Sequence, residues 1–213
     1  MTRVGILGSG DVGKALAEGF QKYGFQAVIG SDHPEKLAEF KKNNPAVEVA
    51  TFEKAARSGE LIVLCVKGTA AEKVVEMVGS ELAAKTVIDA TNPIADAPPD
   101  NGVLKFFTSL EESLMERLQR IVPDAHFVKA LNSIGSPFMV NPEFGGAKPT
   151  MFICGNDDGA KKKTTEILER FGFEVADMGR TESARAIEPL SMLWCIPGFL
   201  RNEWSHAFKL LKK

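Results

Sequence analysis

Short apolar runs recur along the chain at 3–7, 26–30, 47–51, 61–66, 86–91, 125–131, 150–154 and 174–178, each of strand length. The segments between them carry apolar residues at helical spacing. After Gly10, for example, Val12, Ala15, Leu16, Phe20 and Tyr23 fall on one helical face, and Gly24 is placed to end that helix. The alternation predicts a mostly parallel sheet with helices on both faces. Leu61-Ile62-Val63-Leu64-Cys65-Val66 is apolar without interruption, as a strand covered on both faces should be. Periodicity alone does not separate it from a buried helix segment, but its shortness selects strand.

Two stretches break the pattern. Residues 93–107, with Pro98-Pro99-Asp100-Asn101-Gly102, predict a long loop. Residues 133–148, with Gly135, Pro137, Pro142 and Gly145-Gly146, predict an irregular crossing over the top of the sheet. Ser109 with Glu112 three residues on predicts a capped helix start, and Pro123 follows the helix end. The run Lys161-Lys162-Lys163 predicts the solvated face of a helix closed by Gly172. From Ser183 the chain reads as helical, interrupted at Pro189 and Pro197. Residues 1–182 are thus expected to form one sheet domain, with 183–213 as its helical extension.

Gly8-Ser9-Gly10-Asp11-Val12-Gly13 follows the first predicted strand and opens the first predicted helix, a context that turns a common glycine spacing into a mechanism. Gly8 permits the tight turn, Gly10 lets the backbone approach a pyrophosphate, and Gly13 lets helix pack closely on strand. The free N–H groups of the helix then face the phosphates, aided by the helix dipole. This predicts an α/β, Rossmann-type doubly wound sheet with a short C-terminal helical segment, binding NADP or NAD. Asp32, 19 residues beyond Gly13, stands where a carboxylate accepts hydrogen bonds from the adenosine ribose, which favours NAD. Ser31, His33 and Lys36 are near enough to donate to the 2′-phosphate of NADP. Asp32 is equally suited to cap a helix opening at Pro34. The residues alone leave these readings open.

Composition narrows the partners. With 26 basic and 28 acidic residues the formal charge is -2, which offers no field to recruit nucleic acid or an anionic membrane. The longest uncharged apolar stretch, 189–200, is far short of the roughly 20 residues of a spanning helix. The chain runs from Met1 straight into the first apolar run, so no export signal is expected. Cys65, Cys154 and Cys195 lie far apart, which suits a reducing cytoplasm and predicts neither disulfide nor metal site.

The segments VGILGSGDVGKALA, VIGSDHPEKL, ATNPI, FVKALNSIG, FICGND, VADMG and IEPLSMLW extend in order over nearly the whole chain. In these the sequence resembles the deazaflavin-dependent NADP reductases, and it is similar to the cytosolic reductase domain of the six-transmembrane metalloreductases. The resemblance implies a cytoplasmic homodimer that binds NADP at the carboxyl ends of the strands. It also implies hydride passing directly between nicotinamide and a small planar acceptor, a deazaflavin or flavin. Residue by residue, it puts Gly8, Ser9, Gly10, Asp11 and Val12 in the pyrophosphate loop, and Val66 and Lys67 near the adenosine. Asn92 and Pro93 take the turn after the fifth strand, and Ala130, Leu131 and Asn132 the segment whose backbone holds the nicotinamide carboxamide. At Ser31-Asp32 the chain departs from the Ser-Arg pair that grips the 2′-phosphate.

Hydride transfer between stacked rings depends on proximity and alignment more than on an acid or base, so no catalytic side chain is expected. His33, His126 and His206 are scattered, and no Gly-x-Ser-x-Gly elbow occurs. Lys129 is placed either to neutralise an acceptor or, instead, to point to the opposite face or pair with a carboxylate. Glu188, Met192 and Trp194 either line an acceptor site beside Asn132 or serve helix packing. Three functions follow: a reductase, a module that binds NAD(P)(H) without turnover, and an imine reductase of the pyrroline-carboxylate type. The last carries a long helical dimerisation domain, for which only 183–213 remain here.

Overall fold

In the computed structural model, which describes residues 1–213, the eight apolar runs form one sheet in the order β3-β2-β1-β4-β5-β6-β7-β8. The strands are β1 (Arg3–Leu7), β2 (Gln26–Gly30), β3 (Glu48–Ala50), β4 (Leu61–Leu64), β5 (Thr86–Asp89), β6 (His126–Lys129), β7 (Thr150–Gly155) and β8 (Glu174–Asp177). All neighbours are parallel except β6 and β7. Leu7 is in register with Gly30 on one side and Leu64 on the other, so the carboxyl ends of the central strands form one edge. The order reverses between β1 and β4, the crevice where open α/β sheets take their ligands.

Side chains of β4 alternate between two cores: Leu61 and Val63 join one cluster, Ile62 and Leu64 the other. On the first side pack α1 (Asp11–Lys22) and α6 (Asp158–Arg170), through Leu16, Phe20, Ile167 and Leu168. On the second pack α3 (Phe52–Ser58), α4 (Gly68–Leu82) and α5 (Leu114–Ile121). Burial on both faces is why the strand residues need no polar alternation.

Several boundaries differ from the sequence expectation. The ladder ends at Leu64, Asp89 and Lys129, while the apolar pattern runs two residues further in each strand. The first overrunning residues, Cys65, Ala90 and Ala130, still donate their N–H to the neighbouring strand, and pairing stops after them. The helix expected at Ser109 begins instead at Leu114, because Ser113 and Glu116 form the reciprocal capping box; Ser109 and Glu112 make only an isolated bridge. No α-helix opens at Pro34, where a short 3-10 turn (Pro34–Leu37) leads into α2 (Ala38–Asn43).

At the carboxyl end, α7 (Ala184–Ile187) is followed by α8 (Pro189–Arg201). Pro189 starts α8 rather than interrupting it, and Pro197 lies inside. Asn202, with φ 56°, ends the helix, so the helical extension expected to reach 213 stops at Arg201. Residues 202–213 return over β7, where Thr150 N donates to Phe208 O at 2.8 Å and Leu210 N to Thr150 Oγ1 at 3.1 Å. No helix is long and apolar enough to cross a membrane.

Candidate functional site

The glycine turn leaves β1 with Gly8 at φ 141°, a region side chains avoid, and a Cβ there would lie 2.7 Å from the Cys65 backbone. A Cβ on Gly13 would lie 2.0 Å from Gly8 O. Both positions therefore need glycine to let α1 pack on the β1 and β4 ends. Gly10 differs, since a Cβ there would meet nothing within 4 Å. Gly10 is the N-cap of α1 and has no side chain to cap it, and the N–H groups of Gly10, Asp11 and Val12 have no acceptor in the protein. Free amides at a helix N-terminus, opening on empty space, suit a phosphate.

A cleft of about 300 Å³ faces this turn, lined by Gly8, Ser9, Gly10, Ser31, Asp32, His33, Phe52, Cys65, Val66 and Lys67. Ser9 Oγ donates to Ser31 Oγ at 2.9 Å, and Ser31 Oγ accepts from His33 N at 3.1 Å, which ties the β2 end to the glycine turn. Asp32 is exposed on the cleft wall, in no ion pair, and does not cap the turn at Pro34. His33 pairs with Glu35 at 3.3 Å. Lys36 is exposed on that turn and is not part of the wall. Lys67 pairs with Asp96.

The ends of β5 and β6 are joined by side chains. Asn92 Nδ2 donates to Asn132 O at 2.7 Å, and Asn132 Nδ2 donates to Asn92 Oδ1 at 3.1 Å and to Ile187 O at 3.0 Å. Asn132 Oδ1 is buried without a partner. Leu131 is buried at φ 60°, and its N–H donates to Met151 Sδ at 3.1 Å. Pro93 O accepts from Phe107 N at 2.9 Å, which anchors the long loop beside this pair.

Beneath them lies a buried charge cluster. Lys129, with no exposure, is 2.7 Å from Asp89 Oδ2 and 3.0 Å from Glu188 Oε1, and donates to Thr91 O at 2.9 Å. Burial pushes the Lys129 ammonium down, but the two carboxylates outweigh it and hold its pKa above the ordinary value. Glu188 also accepts from Leu114 N and Met115 N, each at 3.0 Å, closing the first turn of α5. Of the two readings of Lys129, pairing with a carboxylate is the one observed. Asp89 and Thr91 escaped the sequence reading; the signal available was an acid and a lysine inside otherwise apolar strands.

Glu188 and Met192 do line a second cleft, of about 240 Å³, with Phe106, Leu110, Arg185 and Pro189 among its walls. Trp194 does not. It is buried, stacked on His206 with ring centroids 4.9 Å apart, and serves packing. A larger polar hollow of about 530 Å³ lies by His126 at the amino end of β6, away from the glycine turn. No three His, Cys, Asp or Glu residues come together to hold a metal.

Residues 3–93 match the family described as NADP oxidoreductase, coenzyme F420-dependent. Metalloreductase STEAP3 of Rattus norvegicus is 32% identical over 204 residues, taking in 93% of this chain and 39% of that protein. The chain thus spans less than two fifths of the length of the metalloreductases it matches. F420-dependent NADP reductase of Methanocaldococcus jannaschii is 25% identical over 203 residues, 90% of each chain. The crystal structure of a candidate F420-dependent NADP reductase from Arthrobacter sp. FB24 matches with a TM-score of 0.92 at 28% identity, covering 100% of both chains. The resemblance read from the sequence is borne out. The chain is similar to F420-dependent NADP reductases and to metalloreductases, all oxidoreductases by name.

Proposed function

We propose that this chain is a reductase that binds NADP or NAD along the carboxyl ends of β1, β2, β4, β5 and β6 and presents it to a small planar redox acceptor, a deazaflavin or flavin. The observation that carries the reading is the set of free amides at Gly10, Asp11 and Val12, opening on the cleft bounded by Ser31, Asp32, Val66 and Lys67. When bound, the reduced nicotinamide supplies a hydride. The chain's own part is to hold and orient. The glycine turn takes the pyrophosphate, Ser31 and Asp32 meet the ribose, and Ala130, Leu131 and Asn132, locked to Asn92, set the plane of the ring. Holding two reactants in an aligned pair accounts for much of the barrier reduction in such a transfer, which asks for a rigid cleft rather than an acid. We extend the proposal to a cytoplasmic homodimer, in keeping with the exposed apolar side chains Leu193, Phe199 and Leu200 on α8.

The test is Gly10→Glu. Gly10 has φ -75°, and a Cβ there meets nothing within 4 Å, so the variant folds while setting a carboxylate in the phosphate path. Titration of NADPH and NADH is expected to show binding to the wild type and a loss of at least tenfold in affinity for the variant. Wild-type protein is then assayed with NADPH and NADH against deazaflavin, flavin and quinone acceptors. Equal affinity in the two proteins refutes the site; tight binding without turnover of any acceptor refutes the reductase and favours a redox-sensing module.

A further inference from the structure

Leu131 is the one buried residue among the five non-glycine positions with positive φ; the others are Ala84, Asn101, Asn141 and Asn202. A branched side chain rarely adopts this conformation, and three of the others are the asparagine that tolerates it. The sheet does not hold Leu131 there. The β6 ladder to β5 reaches only as far as Ala130 N, which donates to Asp89 O at 3.0 Å, and the pairing with β7 ends at Lys129 and Cys154. The next amide, Leu131 N–H, is buried and has no oxygen acceptor. Met151 Sδ takes it instead, at 3.1 Å, from β7, and Met151 is only 1% exposed. A thioether is a weak acceptor on a long, unbranched chain that reaches where a backbone carbonyl does not.

We propose that Met151 is a positioning residue for the reduction. Its sulfur, by accepting the Leu131 N–H, holds the Ala130–Asn132 backbone in the left-handed path against which the nicotinamide ring is oriented. The inference rests on the function proposed above. Removing the acceptor strands a buried N–H and releases the conformation of Leu131, while the adenosine half of the cleft, at the ends of β1, β2 and β4, keeps its geometry. Leucine has nearly the volume of methionine, so Met151→Leu leaves the packing filled and deletes the acceptor alone.

The experiment measures the affinity of wild type and Met151→Leu for ADP-ribose and for NADH. ADP-ribose reports the adenosine and pyrophosphate contacts and lacks the nicotinamide. The expected result is unchanged ADP-ribose affinity with NADH affinity lowered about three- to tenfold, and partial recovery in Met151→Leu/Leu131→Gly, because glycine adopts positive φ without a brace. Parallel losses for both ligands, or no loss for either, overturn the proposal and leave Met151 as core packing. Failure of the wild type to bind either ADP-ribose or its 2′-phosphate overturns the proposed function, and this inference with it; where only the 2′-phosphate binds, it and NADPH replace ADP-ribose and NADH in the comparison. If Met151→Leu does not fold, the unaltered protein decides: the Met151 methyl NMR signal is expected to shift on adding NADH and not on adding ADP-ribose. A signal unmoved by NADH counts against the proposal.

Discussion

Replacing Lys129 by Met removes an ammonium from a site where Asp89, Lys129 and Glu188 all have essentially no exposure. The neutral side chain has similar length, so the packing survives and the electrostatics do not. Two carboxylates remain, and Asp89 keeps only the Thr91 N–H at 2.9 Å and hydroxyl at 2.6 Å as partners. Breaking a buried pair by removing one partner costs about 3–5 kcal/mol, because the remaining charge is uncompensated. The lost hydrogen bond to Thr91 O is part of that cost. Against a total stability of about 5–15 kcal/mol for a domain, this is a large fraction. At roughly 2–4 °C per kcal/mol for a chain of this size, it lowers the melting temperature by about 6–20 °C. Urea unfolding at pH 7, followed by the fluorescence of Trp194 and Trp204, measures it. A loss under about 1 kcal/mol would refute the view that the cluster is a tightly satisfied ion network.

Two further outcomes follow from other residues. Asp32→Arg exchanges an exposed carboxylate on the cleft wall for a cation, and is expected to raise NADPH affinity relative to NADH in a fluorescence titration; an unchanged preference means that Asp32 does not face the ribose. Partial burial pushes Glu116 up, but hydrogen bonds from Arg185 and Ser113 prevail and bring its pKa from 4.5 to about 2. The pair's contribution is therefore complete above about pH 4.5 and disappears as pH falls towards 2. The stability difference between wild type and Arg185→Met should vanish over that interval, and a difference that persists at pH 2 would assign the effect to packing.

The sheet was legible because a strand buried on both faces advertises itself as an uninterrupted apolar run, as at Leu61–Leu64. Strand ends were not, since Val66 and Leu131 continue the apolar pattern beyond Cys65 N and Ala130 N, the last amides to donate to a neighbouring strand. Composition does not record where pairing stops. Ser109 and Ser113 are each followed three residues later by glutamate, and only burial of Leu114, Met115 and Leu118 selects the second as the helix start. The glycine turn could be read because Gly8 and Gly13 are demanded by contacts that recur wherever this turn is built. The Asp89–Lys129–Glu188 cluster could not, because its members are far apart in sequence and become partners only through the topology.

Several departures from local preference gather at the ends of β5 and β6. Leu131 has a left-handed backbone, Asn132 Oδ1 is buried without a partner, and three charges are buried beneath them. Each of the first two costs on the order of 1–3 kcal/mol. Such features persist only where neighbouring contacts over-determine them, and the molecule supplies those contacts. Asn132 is tied to both Asn92 and Ile187, Leu131 to Met151, and Lys129 to Asp89, Thr91 and Glu188. At the adenosine half the ties are fewer and less buried: Ser9, Ser31 and His33 are joined by two hydrogen bonds, and Lys67 pairs with Asp96 at the surface. A cleft that only had to retain a dinucleotide needs firm contacts at the phosphates, where the charge is. Rigidity concentrated at the other end, under the segment proposed for the nicotinamide, suits a transfer whose rate depends on the angle of one ring against another.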